Sequence, residues 1–159
     1  MLIYVEYITE RLLYTLSFVF SERKVAYQLT NDGIAFIAAT GPKLNYSNRD
    51  FVDGFQIIPA RILFEDELQN EAPTKGQYEG ITCLSFQDTP DVLGSIFYVL
   101  SRMEEYNSPH TDGLGRYKAS ASILHKNDWL QEPICDRWSN ALIQVLEHKL
   151  NVNLNAQKP

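Results

Sequence analysis

Histidine, cysteine, basic clusters and long apolar runs are all scarce in this chain. Only three His and two Cys occur among its 159 residues. None of the spacings HxH, HxxxH or HExxH is present, so no metal site is expected. Cys83 and Cys135 lie far apart and form no CxxC; two free, buried thiols in a reducing compartment are the expectation. The start, MLIYVEYITERLL, has no basic n-region, and Glu6, Glu10 and Arg11 interrupt any apolar core of a signal peptide. No apolar run is long enough to span a bilayer. A cytoplasmic protein without a membrane partner is therefore expected. The formal net charge is −6 and Lys and Arg are scattered, which argues against nucleic acid as a partner. Phosphate-cradling GxGxxG and GxxxxGKS loops are absent, as is a GxSxG nucleophile elbow. No cofactor and no catalytic residue is assigned on these grounds.

Apolar residues are plentiful. They make up 45% of the chain, including nine Tyr, eight Phe and two Trp, enough for one globular core. A single domain is expected over 1–150, with a polar, frayed tail at 151–159. Residues 2–7, LIYVEY, read as a strand. Thr9 then caps a helix over 10–22, whose Leu12, Leu13, Leu16, Val19 and Phe20 recur at helical spacing. A strand over 25–30 and the turn formers Asn31-Asp32-Gly33 predict a hairpin returning through 34–39, with a helical turn there as the alternative. In 43–47, KLNYS, Leu44 and Tyr46 point one way while Lys43, Asn45 and Ser47 point the other. Strands are expected over 55–58, 62–64 and 81–86, with an exposed, mobile polar stretch over 65–80 between them. Thr89 and Pro90 suit the start of a helix over 90–106, and a last helix follows Pro133. The fold class is α/β (or α+β), a mixed β-sheet flanked by about three α-helices.

Chemistry-bearing side chains crowd into LSRMEEYNSPHTDGLGRY at 100–117. Glu104 and Glu105 fall in the predicted last helical turn, where the negative end of the helix dipole disfavours each by ~0.3–1 kcal/mol. Local rules tend to break where a tertiary or functional demand outweighs them. One reading is a salt-bridged clasp, with Arg102 pairing to Glu105 and Arg116 returning from the loop to the other glutamate. The other is a site, in which the carboxylates do acid–base work or hold sugar hydroxyls. Trp129, after Asn127-Asp128, offers a stacking face; Trp138 sits on the buried face of its helix.

KLNYS at 43–47, SRMEEY at 101–106, the D-x-x-G-R-Y loop at 112–117 and WLQEPICDRW at 129–138 occur in that order. As a set they resemble the uncharacterised N-terminal domain found ahead of polysaccharide deacetylase (NodB-like) catalytic domains in Bacteroidetes proteins. That family reads K-x-N-Y-S, S-R-Y-E-E-Y, D-x-x-G-R-F and L-x-x-P-x-V-D-x-W at matching places. The resemblance implies a non-catalytic accessory domain that binds glycan or docks a deacetylase-like catalytic domain, C-terminal or separate. The ligand-binding candidates it marks are Lys43, Asn45, Ser47, Arg102, Glu104, Glu105, Asp112 and Arg116, with Trp129 added as a stacking wall. A small hydrolase-like enzyme using Glu104 or Glu105 with Arg116 is the alternative.

Overall fold

A computed structural model describes residues 1–65, 72–102 and 133–154 of the chain. Among them, four strands form a parallel sheet: β1 (Leu2–Val5), β2 (Gln28–Thr30), β3 (Lys43–Tyr46) and β4 (Phe55–Ile57), in the order β2-β1-β3-β4. A smaller antiparallel sheet holds β5 (Thr74–Tyr78), β6 (Ile81–Phe86) and β7 (Thr89–Pro90). The helices are α1 (Glu10–Leu16), which runs on into a π-helical turn at Ser17–Ser21, α2 (Gly33–Ala38), α3 (Val92–Leu100) and α4 (Ile134–Leu150). The α/β (or α+β) class is as expected, with parallel and antiparallel pairings divided between the two sheets. No described helix is long and apolar enough to cross a membrane.

Parallel pairing decides how the first half of the chain is connected. Adjacent parallel strands need a crossover, which usually carries a helix. β1 pairs with β2 on one side and with β3 on the other, both parallel. The expected hairpin across residues 31–33 is therefore replaced by α2. Asp32 is its N-cap, accepting from the backbone N–H of Ile34 (3.0 Å) and Ala35 (3.3 Å). The same side-chain chemistry that makes Asp a turn former makes it a cap. The chain leaves β1 outward to β2 and returns past β1 to β3. With crossovers of one hand, that reversal puts α1 and α2 on opposite faces of the sheet. Ile3, Val5, Leu44 and Tyr46 join Leu12, Leu16 and Val19 of the α1 segment in the main core. On the other face Tyr4, Phe36 of α2 and Phe51 pack together, at mutual ring separations of 4.7–5.7 Å.

Several boundaries differ from the sequence reading. β2 begins at Gln28 and β1 ends at Val5, two residues short of expectation. Residues 62–64 form a turn rather than a strand, and 74–78 within the stretch expected to be mobile forms β5. Thr9 caps α1 as expected, accepting from Leu12 N–H. Thr89 and Pro90 pair with β6 instead of opening α3, and the cap is Asp91. α3 stops at Leu100, and Arg102 stands at φ 55°; Glu104 and Glu105, placed in its last turn by the sequence reading, lie outside the described residues. At the other end the chain packs past α4: Leu154 is fully buried and its N–H donates to Glu147.

Both sheets and α3 meet at Asp91. Its carboxylate is fully buried and accepts from the Tyr46 hydroxyl of β3, the Ala60 N–H after β4 (3.0 Å) and the Gly94 N–H of α3 (3.0 Å). One turn on, the Ser95 hydroxyl donates to Asp91 O and accepts from Leu84 N–H of β6. α3 comes so close to the turn after β4 that a Cβ on Gly94 would lie 2.6 Å from Ile62. Burial pushes the Asp91 carboxyl above its ordinary range; the hydrogen bonds it accepts oppose this, and burial outweighs them.

Asp91→Ala leaves the Tyr46 hydroxyl and two backbone N–H groups buried without partners, a cost of about 3–5 kcal/mol in urea unfolding. The pH dependence has a definite sign. A carboxyl whose folded pKa is raised contributes stability that is fully present below the unfolded value and lost as pH rises through the folded one. Wild type is therefore expected to lose stability relative to Asp91→Asn as pH is raised from the acid side. A difference that stays flat across that range would show that Asp91 titrates alike in folded and unfolded chains.

Candidate functional site

The reversal in strand order places a crevice between β1 and β3. In open α/β sheets, ligands lie outside the carboxyl ends of the strands at such a switch point. Here a crevice of about 320 Å³ occupies that place. The end of β1 supplies Glu6 and Tyr7, and the end of β3 supplies Ser47 and Asn48. Pro59, Arg61 and Phe64, after β4, close the third side, with Tyr46 beneath. β1 ending early thus has a consequence: Glu6 and Tyr7 leave the ladder at the crevice.

The third wall is held from three directions. The Thr9 hydroxyl donates to Leu63 O, and Arg11 donates to Ile62 O at 2.9 Å. Asp91 accepts from Ala60 N–H, and the Tyr46 and Phe64 rings pack tilted, 5.7 Å apart. Arg61 stands at φ 74°, in the left-handed region that a non-glycine residue enters only at a cost. Its guanidinium lies 3.3 Å from Glu65 on the surface, a pair with a small net energy. Glu6 has no ion pair or hydrogen bond among the described residues. The crevice therefore offers one uncommitted carboxylate, a guanidinium, an amide and three aromatic rings.

The residues of KLNYS serve this site from within. Lys43, Asn45 and Ser47 do face away from Leu44 and Tyr46, yet they do not meet solvent: all five are buried. A central strand of a parallel sheet is covered on both faces. Lys43 donates to Phe36 O (2.9 Å) and Ile37 O (3.3 Å), carbonyls at the negative end of α2. Asn45 donates to Arg49 O at 2.6 Å and accepts from the Ser47 hydroxyl, which itself accepts from Arg49 N–H. Gln56 of β4 donates to Ser47 O and Arg49 O. Lys43 and Asn45 thus position the strand end and its loop, and of the three only Ser47 lines the crevice.

Arg102 is described, at the end of α3. Glu104, Glu105, Asp112, Arg116 and Trp129 lie outside the described residues. Sequence reasoning missed Glu6, Tyr7, Asn48, Arg61 and Phe64. No local signal in the sequence marks them: the switch point arises only because β2 and β3 pair in parallel with β1 from opposite sides. Cys83 and Cys135 are free and buried, and burial pushes each thiol up to about 12, which keeps both protonated and inert near neutrality. The described residues hold no group of three or more side chains suited to a metal ion.

A family model matches residues 1–151, nearly the whole chain. The chain belongs to DUF7033, a family of unknown function. No curated protein and no solved structure matches it. The DUF7033 match covers both sheets, all four described helices and every residue of the crevice.

The Asn45–Ser47 network generates a test. Asn45→Ala should cost about 2–3 kcal/mol in urea unfolding and Ser47→Ala about 1 kcal/mol. Because the two share a hydrogen bond, the double variant should be non-additive by roughly 0.5 kcal/mol or more. Strict additivity would mean that the two side chains hold the 47–49 loop independently.

Proposed function

We propose that this DUF7033 domain is a non-catalytic module that binds a glycan in the switch-point crevice and serves a polysaccharide deacetylase-like catalytic domain. The observation that carries the binding role is the crevice itself: a carboxylate without a partner among the described residues, a guanidinium, an amide and aromatic rings gathered where the sheet topology favours a ligand. Its size falls at the lower end for small-molecule pockets, which suits one or two sugar rings. Carboxylate and amide groups bind sugar hydroxyls in pairs, and Tyr7 and Phe64 supply faces for the apolar side of a pyranose.

The local chemistry argues against the nucleotides that many doubly wound sheets take at this place. A phosphate site uses a glycine-rich turn after β1. The turn here reads Glu6-Tyr7-Ile8-Thr9, with no glycine and with a negative charge. The net charge of −6 adds to the repulsion. The link to a deacetylase-like partner rests on the resemblance of the four ordered motifs. Two unpaired cysteines support a reducing, cytoplasmic setting for this reading.

The test is calorimetric titration with acetylated and free-amine amino-sugar oligomers. Glu6→Gln and Arg61→Ala, each on the open crevice, should weaken binding about tenfold or more while leaving the melting temperature nearly unchanged. No binding of any oligomer by wild type would remove the glycan role and leave docking of a catalytic domain. Slow hydrolysis of the oligomer during titration would move the protein to the hydrolase class.

A further inference from the structure

The outer side of α2 carries a second surface, on the opposite face of the sheet from α1. α2 has six residues, too few for a helix to be stable without packing. Phe36 faces inward and is fully buried, while Ile34 and Ile37 face outward at 80% and 60% exposure. Val52, in the loop before β4, is fully exposed. Ile37 and Val52 border an apolar groove of about 160 Å³ floored by Phe36 and Phe51. Two large aliphatic side chains in water at one groove, with Ile34 exposed on the same short helix, are the mark of an interaction site rather than of scattered surface apolar residues.

The rim of that groove carries both signs of charge. Arg49 rests its guanidinium on the Phe51 ring, 4.7 Å from the centroid, and reaches the Tyr4 hydroxyl at 3.4 Å. It has no carboxylate partner among the described residues. Asp50, its neighbour in sequence, is exposed and has no ion pair or hydrogen bond there. One patch thus holds an aliphatic knob beside an aliphatic groove and, among the described residues, a cation with no carboxylate partner beside a carboxylate with no cation. A surface with both halves of each pairing is complementary to itself under a two-fold axis.

We infer that the α2 face is an isologous interface for a second copy of this chain. Val52 of each copy enters the groove of the other between Ile37 and Phe51. Arg49 of each meets Asp50 of its partner, giving two ion pairs at the rim of an apolar centre. Charged partners placed this way set register and exclude other orientations more than they add affinity. Partners of another kind would need only one half of the pattern, and the two-sided pattern is what selects a second copy. The inference is independent of what the crevice binds.

The experiment is sedimentation velocity over a concentration series from low micromolar to millimolar, on the whole chain. Wild type is expected to show a reversible monomer–dimer equilibrium. Asp50→Arg, which sets two arginines against each other, and Val52→Asp, which places charge in the groove, should each raise the dimer dissociation constant about tenfold or more. Both residues are exposed, so melting temperatures should stay close to wild type. The exchange Arg49→Asp/Asp50→Arg should restore dimerisation to within about threefold of wild type, because the swapped pair is still self-complementary. A wild type that stays monomeric at every concentration overturns the inference. So does a dimer that neither Asp50→Arg nor Val52→Asp weakens, because that dimer uses another face. If the exchanged variant fails to fold, as its loss of the Phe51 contact could cause, the two single variants decide the matter alone.

Discussion

The carboxylate of Asp91 is the joint on which the described structure turns. It is a carboxylate taken out of water and held by hydrogen bonds, with no ion pair among the described residues. Desolvation of such a group is expensive, and only donors fixed in position offset it. Those donors come from three separate elements: β3, the turn after β4 and the start of α3. Ser95 extends the joint to β6 by bonding both Leu84 N–H and Leu84 O. The parallel sheet, the antiparallel sheet and α3 are thereby fixed to one another at a single point. Tyr46 is part of the same arrangement: burial and the nearby Asp91 charge both hold its hydroxyl proton in place, so it stays a donor.

The crevice inherits its shape from that joint. Ala60 and Tyr46 are held by Asp91, and both lie at or directly beside the crevice wall. The wall is tied on its far side by Thr9 and Arg11 at the start of α1. Arg61 can therefore be kept in a left-handed conformation that it would leave if the turn were loose. In this way the side chains that line the open crevice are separate from those that place them. Lys43, Asn45 and Asp91 are positioning residues; Glu6, Tyr7, Asn48 and Arg61 are the exposed chemistry. The α2 face follows the same plan on the other side of the sheet. Lys43 holds the end of the helix, and the outward aliphatic residues stand exposed.

Much of the fold was legible residue by residue. The strands at 2–5, 43–46, 55–57 and 81–86, the Thr9 cap and the α4 stripe through Trp138, Leu142 and Leu146 all follow from local pattern. These signals survive because alternation, helical spacing and capping act within a few residues of one another. The alternation in KLNYS was also legible, since Lys43, Asn45 and Ser47 do share a face. Its environment was not, because a polar strand face reads the same whether water or a helix end lies against it. At residues 31–33 the local chemistry fitted a hairpin and a helix cap equally. At Asp91 it fitted a helix first turn, a cap and a buried joint equally.

The sequence by itself determined the class of fold, the places where most strands and helices form, and the chemical poverty of the chain in metal ligands, phosphate loops and basic patches. These are properties of composition and of neighbours along the chain. Only the tertiary structure decided that β2 and β3 flank β1 in parallel, and hence that a switch point exists at all. It alone brought Glu6 and Tyr7 to Arg61 and Phe64 across more than fifty residues of chain, and it alone put Lys43 under α2 instead of in solvent. The physical reason is range. Propensity and periodicity are read within one element, whereas strand order, and the burial of a polar side chain against a distant carbonyl, are set by which elements close the core together.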